Sequence, residues 1–273
     1  MDMKHGMVTL TVAEAKRLIG KGVAALPQVQ RAMAQGMIII AGGTTNAYVA
    51  EELTGLTIDK ARYTAGIISR GRCCVTAHKT RLSPLVLRRG ELVDINWTDA
   101  LGQMGPGDIF IKGGNALDPQ GNLGILQGSP NGGTIGAALG SISARGIELI
   151  APIGLEKLVP KIADSARLLG IGRMDYSRGM QCGMQIVTGA TIVSEDRALA
   201  LLSGCQVVVA AKGGVDSSAG STTLAFAGPK REFELAVSVL DSVLGEKGLI
   251  ADTQKCPCPN PCDFGRANPK GAI

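Results

Sequence analysis

The chain has 273 residues, 45% of them hydrophobic, enough for one large core or two modest ones, and no apolar run approaches the ~18 residues that a membrane helix needs. Aromatic residues are 3% and the net charge is +5. So few stacking rings and so mild a charge exclude the platforms of single-stranded nucleic-acid binders, and fit small anionic ligands better than DNA. The N-terminal stretch MDMKHGMVTLTV lacks the apolar block of a secretory signal, so the expected compartment is the cytoplasm. There the seven cysteines are expected as thiols rather than disulfides.

Thr11 and Glu14 have the spacing of a capping box and open a helix to about residue 20, followed by a second over residues 24–35. Residues 37–41, Met-Ile-Ile-Ile-Ala, are a short continuous apolar run, the kind of strand buried on both faces of a parallel sheet. Gly42, Gly43, Thr44, Thr45 and Asn46 come next, then a helix through residue 53. Strand, glycine turn, hydroxyl cap and helix together are the sequence form of a helix-terminus anion site. The stretch FIKGGNALDPQGNLG, residues 110–124, repeats the theme: Lys112 closes a strand over residues 108–112, beside main chain left bare by Gly113 and Gly114. Gly132, Gly133 and Thr134 open a helix of small residues, residues 147–152 form another buried strand, and residues 156–169 are helical with a break at Pro160. This alternation calls for a parallel sheet with right-handed crossovers, its glycine turns gathered at the carboxyl ends of the strands where ligands bind.

After a Gly- and Met-rich link over residues 170–183 the pattern becomes a strand at 185–193, a helix at 195–203, strands at 205–211 and 222–227, and a helix at 229–244. The turn at 213–220 is too short for a crossover, so these strands are expected to pair antiparallel in a sheet of their own. The fold class expected is α/β: a Rossmann-like domain over residues 1–183, with helices on both faces of its parallel sheet, a ferredoxin-like α+β domain over 184–248, and a Cys/Pro-rich tail over 249–273. In that tail Cys256, Cys258 and Cys262, stiffened by prolines, can turn toward one iron–sulfur cluster or zinc ion, with a fourth ligand such as Cys182. Their C-x-C-x3-C spacing is standard for neither, and thiols without metal are the alternative.

The stretch Ala41-Gly42-Gly43-Thr44-Thr45-Asn46-Ala47 resembles the glycine-threonine loop with which sugar-phosphate isomerases of the NagB/RpiA/CoA-transferase-like superfamily hold a phosphate. Gly113-Gly114-Asn115-Ala116 through Gly121, with Gly154-Leu155-Glu156-Lys157-Leu158-Val159-Pro160, is similar to the lactate-utilisation (LUD) branch. Lys112-Gly113-Gly114 also resembles the lysine-glycine motif of ribose-5-phosphate isomerases. The acidic pair those enzymes place upstream is missing, with only Asp108 there, and no Ser-Glu-Asn-Gly stretch like that of some CoA transferases is found. The resemblance spans roughly residues 36–160.

It implies a pocket in which Thr44, Thr45 and Asn46 meet a phosphate or carboxylate while Lys112 and Asn115 meet the reacting end, with Asp118 and Glu156 as candidate acids. Asp118, in an Asp-Pro turn, and Glu156, in a first helical turn, also have plain structural readings. Three functions follow: an isomerase or transferase acting on a small phosphorylated or carboxylated compound, a ligand-binding sensor module with the same pocket, or a redox-linked accessory protein working through its cysteine tail. Association into a homo-oligomer is left open.

Overall fold

The computed structural model of the chain describes residues 3–251 and Cys262. The chain begins with β1 (Met3–Leu10), then α1 (Val12–Ala25) and α2 (Pro27–Gln35). Thr11 caps α1 in a full capping box with Glu14, and Pro27 starts α2 at a position where no N–H is needed. β2 (Met37–Ile40) and α3 (Thr44–Thr54) follow, then two hairpins, β3 (Gly66–Ser69) with β4 (Arg72–Val75) and β5 (Leu85–Arg88) with β6 (Glu91–Leu92). Next come α4 (Trp97–Leu101), β7 (Ile109–Ile111), β8 (Ala116–Leu117), β9 (Leu123–Gln127), α5 (Gly133–Arg145) and β10 (Glu148–Pro152). The region read as one helix broken at Pro160 is a 3₁₀ turn over Leu155–Lys157 and then α6 (Ile162–Leu168). The chain continues through β11 (Gly183–Val187), β12 (Thr191–Val193), α7 (Glu195–Ser203), β13 (Gln206–Lys212), β14 (Thr222–Pro229) and α8 (Lys230–Asp241).

The central sheet has six strands in the order β12-β10-β7-β2-β5-β6. β2, β7, β10 and β12 run parallel, and the β5–β6 hairpin adds an antiparallel margin. The short strands here are apolar throughout because both of their faces are covered. Ile38, Ile40, Ile109, Ile111 and Ile150 turn toward α1, α2, α3 and α7, while Ile39, Ala41, Phe110, Leu149 and Ala151 turn toward α4 and α5. Each of the fully buried isoleucines contributes on the order of 1.5–3 kcal/mol by leaving water. Helices α1 and α7 approach closely because Gly22 carries no side chain: a Cβ there would lie 2.5 Å from that of Ala198.

Two expectations change. The single strand expected over 185–193 is two strands: after Gly189, at φ 75°, the chain leaves the β11–β9 antiparallel pair and β12 extends the central parallel sheet beside β10. The strands expected at 205–211 and 222–227 do pair antiparallel, as β13 and β14, but their sheet is completed by β1 from the other end of the chain, in the order β1-β14-β13. Hydrogen bonding across the sheet therefore ties the N-terminal segment to the region expected to stand apart. Among the described residues no helix is long and apolar enough to cross a membrane.

Candidate functional site

The carboxyl ends of β2, β7, β10 and β12 lie side by side, and the turns that leave them meet as the parallel register requires, with Ile40 opposite Ile111 and Ile111 opposite Ile150. One buried amide fastens the two glycine turns. Asn46 Nδ2 donates to the Ala41 carbonyl at 2.7 Å, and its Oδ1 accepts the Gly113 N–H at 3.2 Å. The glycines here answer to packing: a Cβ on Gly42 would lie 2.9 Å from the Tyr63 carbonyl, and one on Gly113 2.9 Å from that of Pro152. The Gly43 N–H donates to the Tyr63 carbonyl at 2.8 Å, so the N–H groups of Gly43 and Gly113 are occupied by protein and do not serve as the anion donors expected of them. Donors at this edge include the first-turn N–H groups of α3, which have no intrahelical acceptors. Beside them the buried Thr45 hydroxyl has no hydrogen-bond partner among the described residues.

Three lysines converge over this edge. Lys112 extends from the end of β7, Lys157 from the turn after β10, and Lys16 from α1; Lys157 is close enough to repel both of the others. Burial, reinforced by that repulsion, lowers the pKa of Lys112 to about 8, and burial followed by the same repulsion does so for Lys16, also to about 8. The Lys112 ammonium donates to the Gly113 carbonyl at 3.3 Å. Lys157 sits 3.8 Å from Glu156, whose carboxylate folds back over the bare Cα of Gly154. Among the described residues no carboxylate lies within ion-pair distance of Lys16 or Lys112.

A second acid completes the edge. Glu195 opens α7, is fully buried, and accepts the Leu155 N–H at 3.0 Å and the Thr222 hydroxyl at 2.7 Å. Burial raises its pKa, and the nearby Glu156 adds to the rise, although these hydrogen bonds oppose it. The loop before β14 brings Gly220 against Val12 and Glu156, and next to it the buried Ser221 hydroxyl has no partner among the described residues.

The other residues expected at the site have other work. Asp118 accepts from the N–H groups of Gln120, Asn122 and Ile162 and from the Asn122 side chain, which lowers its pKa against its burial; it holds a turn and has no proton to give near neutral pH. Asn115 is exposed, and its Oδ1 accepts the Leu126 N–H at 3.0 Å. Gly132, Gly133 and Thr134 do open α5, and the Gly132 carbonyl accepts from Gln127, on the opposite face of the sheet from α1. Thr44 starts α3 as expected. Cys256 and Cys258 lie outside the described residues; Cys262 is buried, its N–H 3.5 Å from the Ser177 hydroxyl. Among the described residues no group of three His, Cys, Asp or Glu side chains could hold a metal ion.

Sequence reasoning missed Lys16, Lys157 and Glu195. Lys16 and Glu195 lie on helices whose relation to the sheet no local pattern reveals, whereas Lys157 stands next to Glu156 in a stretch already singled out. Comparison with protein-family models, with curated proteins and with solved structures finds no match.

Proposed function

We propose that this chain binds a small phosphorylated or carboxylated metabolite at the carboxyl edge of its central sheet, and acts on it as an isomerase or transferase of the cytoplasm. The observation that carries the reading is the convergence of Lys16, Lys112 and Lys157 with one close carboxylate, Glu156. Three partly buried ammonium groups that share one nearby carboxylate are costly, and an anion seated among them removes the cost. The α3 first turn and the Thr45 hydroxyl supply further donors at the same place. Glu195, held toward its protonated form, is the proton donor in this reading, and Lys112 the group that polarises the reacting carbonyl. The reading agrees with the resemblance to the NagB/RpiA/CoA-transferase-like superfamily, whose Rossmann-like sheet binds at this edge, and treats the β1-β14-β13 sheet with α7 and α8 as a ferredoxin-like support.

The test is a thermal-shift screen of the protein against sugar phosphates, CoA esters and small carboxylates, repeated with Lys112→Met. The substitution keeps most of the apolar stem and removes the charge. A ligand that stabilises the parent is expected to bind the variant more weakly by about 1.5–3 kcal/mol, the scale of one charge-assisted hydrogen bond. Equal responses from the two proteins would show that Lys112 does not face the ligand.

A further inference from the structure

A second cluster, built from sulfur, lies apart from the lysines. Cys73 sits in the β3–β4 hairpin, and its main chain is clasped by the link between α6 and β11: Cys73 bridges to Gly179, and its carbonyl accepts the Met180 N–H at 2.8 Å. Only a glycine fits at that crossing, because a Cβ on Gly179 would strike the Cys73 carbonyl, and Gly179 adopts φ 95°. Two residues after Met180, Cys182 turns back so that its thiol reaches the Met180 carbonyl at 3.7 Å, which places it beside the clasped Cys73 segment. Cys262 packs beside the same loop, within electrostatic reach of Cys182. The exposures of the pair differ: Cys73 is partly exposed and Cys182 is buried at 6%. Cys74, the neighbour of Cys73, is likewise partly exposed, and Cys205 lies in the main core under α8.

We propose that Cys73 and Cys182 form a redox-active dithiol that exchanges with small-molecule disulfides. Cys73, the accessible sulfur, attacks one sulfur of a disulfide RSSR as its thiolate, forms a mixed disulfide and releases RS⁻. Cys182 then gives up its proton and attacks the Cys73 sulfur, forming the Cys73–Cys182 bond and expelling the second RS⁻. Two protein thiols are oxidised and one disulfide is reduced to two thiols, so the two electrons balance. The division of labour follows from exposure: the half-open residue meets the reagent, and the buried one, on the adjoining segment, resolves the adduct. The bond closes between two segments that the backbone has already clasped, so little chain ordering is needed.

The experiment uses the full chain, reduced and desalted without oxygen, then titrated with oxidised glutathione and mapped by mass spectrometry after alkylation of the remaining thiols. The first thiols lost are expected to be Cys73 and Cys182 together, joined to each other without a glutathione adduct and restored by dithiothreitol. Cys182→Ser should retain glutathione on Cys73, and Cys73→Ser should leave Cys182 reduced, while Cys74→Ser should behave as the parent. Mapping the unmodified chain does not depend on any variant folding. The proposal is overturned if Cys74 or the tail cysteines react first. It is also overturned if the anaerobically purified chain carries iron or zinc that both Cys73→Ser and Cys182→Ser release, because the two sulfurs would then be metal ligands.

Discussion

Lys16 and Lys112 are held charged at neutral pH against an environment that lowers each from 10.5 to about 8. Between about 8 and 10.5 the unfolded chain therefore binds more protons than the folded one. Stability without ligand is expected to rise with pH across that interval, because the buried lysines discharge there. An anion needs the charged forms, so its affinity is expected to fall over the same interval, by about tenfold per pH unit for each lysine that must carry charge. Melting temperatures of ligand-free protein from about pH 7 to about pH 10 check the first sign, and the rise should be smaller in Lys112→Met, which separates the lysines from the thiols titrating nearby. Binding titrations over the same range check the second. A ligand whose affinity is flat through pH 8 would not be held by these lysines.

At the scale of elements, Asn46 is what joins the α3 start to the β7 end. Replacing Asn46 with Ala leaves the buried Ala41 carbonyl without its side-chain partner, at about 1–3 kcal/mol, and frees the half-buried Gly113 N–H at a smaller cost. Urea unfolding is expected to show that loss, and ligand affinity should fall as well, because the two turns are no longer held at one spacing. A variant that loses stability yet binds normally would show that the sheet alone sets the geometry. The elements around Asn46 were legible for a physical reason: a four-residue run such as Met37–Ile40 is buried on both faces, and the turn that follows carries its own glycines and hydroxyls. Lys112 and its neighbour Gly113 were visible for the same reason. The hairpins between Gly66 and Leu92 were not, because their strands are two to four residues long and half exposed, too short for an alternation to register. Glu195 looked like any first-turn carboxylate; only the packing of α7 under Leu155 and Thr222 buries it.

For the whole molecule, the main surprise is the sheet that joins the two ends of the described chain. β1 pairs with β14 along its full length, from Met3 opposite Pro229 to Leu10 opposite Thr222. The contact is tight: Gly6 lies under the Phe226 ring, which a Cβ on Gly6 would strike. Gly6→Ala is expected to cost about 1–3 kcal/mol by overpacking, with the shift read in urea unfolding and no change in ligand affinity, because the contact is remote from the lysines. A fully neutral substitution would mean that β1 adjusts freely on its neighbour. Residues 3–10 could not be assigned from their own sequence, because their alternation gains its meaning from a partner almost the whole chain away.

That pairing also orders events in time. β1 is synthesised long before β14, its sheet partner among the described residues, so β1 must wait while the parallel sheet and β13 are made. The entropy of closing so long a loop grows only slowly with its length, and the finished protein is little weakened by it, but non-local pairing of this kind slows folding. Until β14 appears, β1 offers an unsatisfied backbone edge. The growing chain, rather than the completed one, is therefore the form in which this protein is most exposed to aggregation.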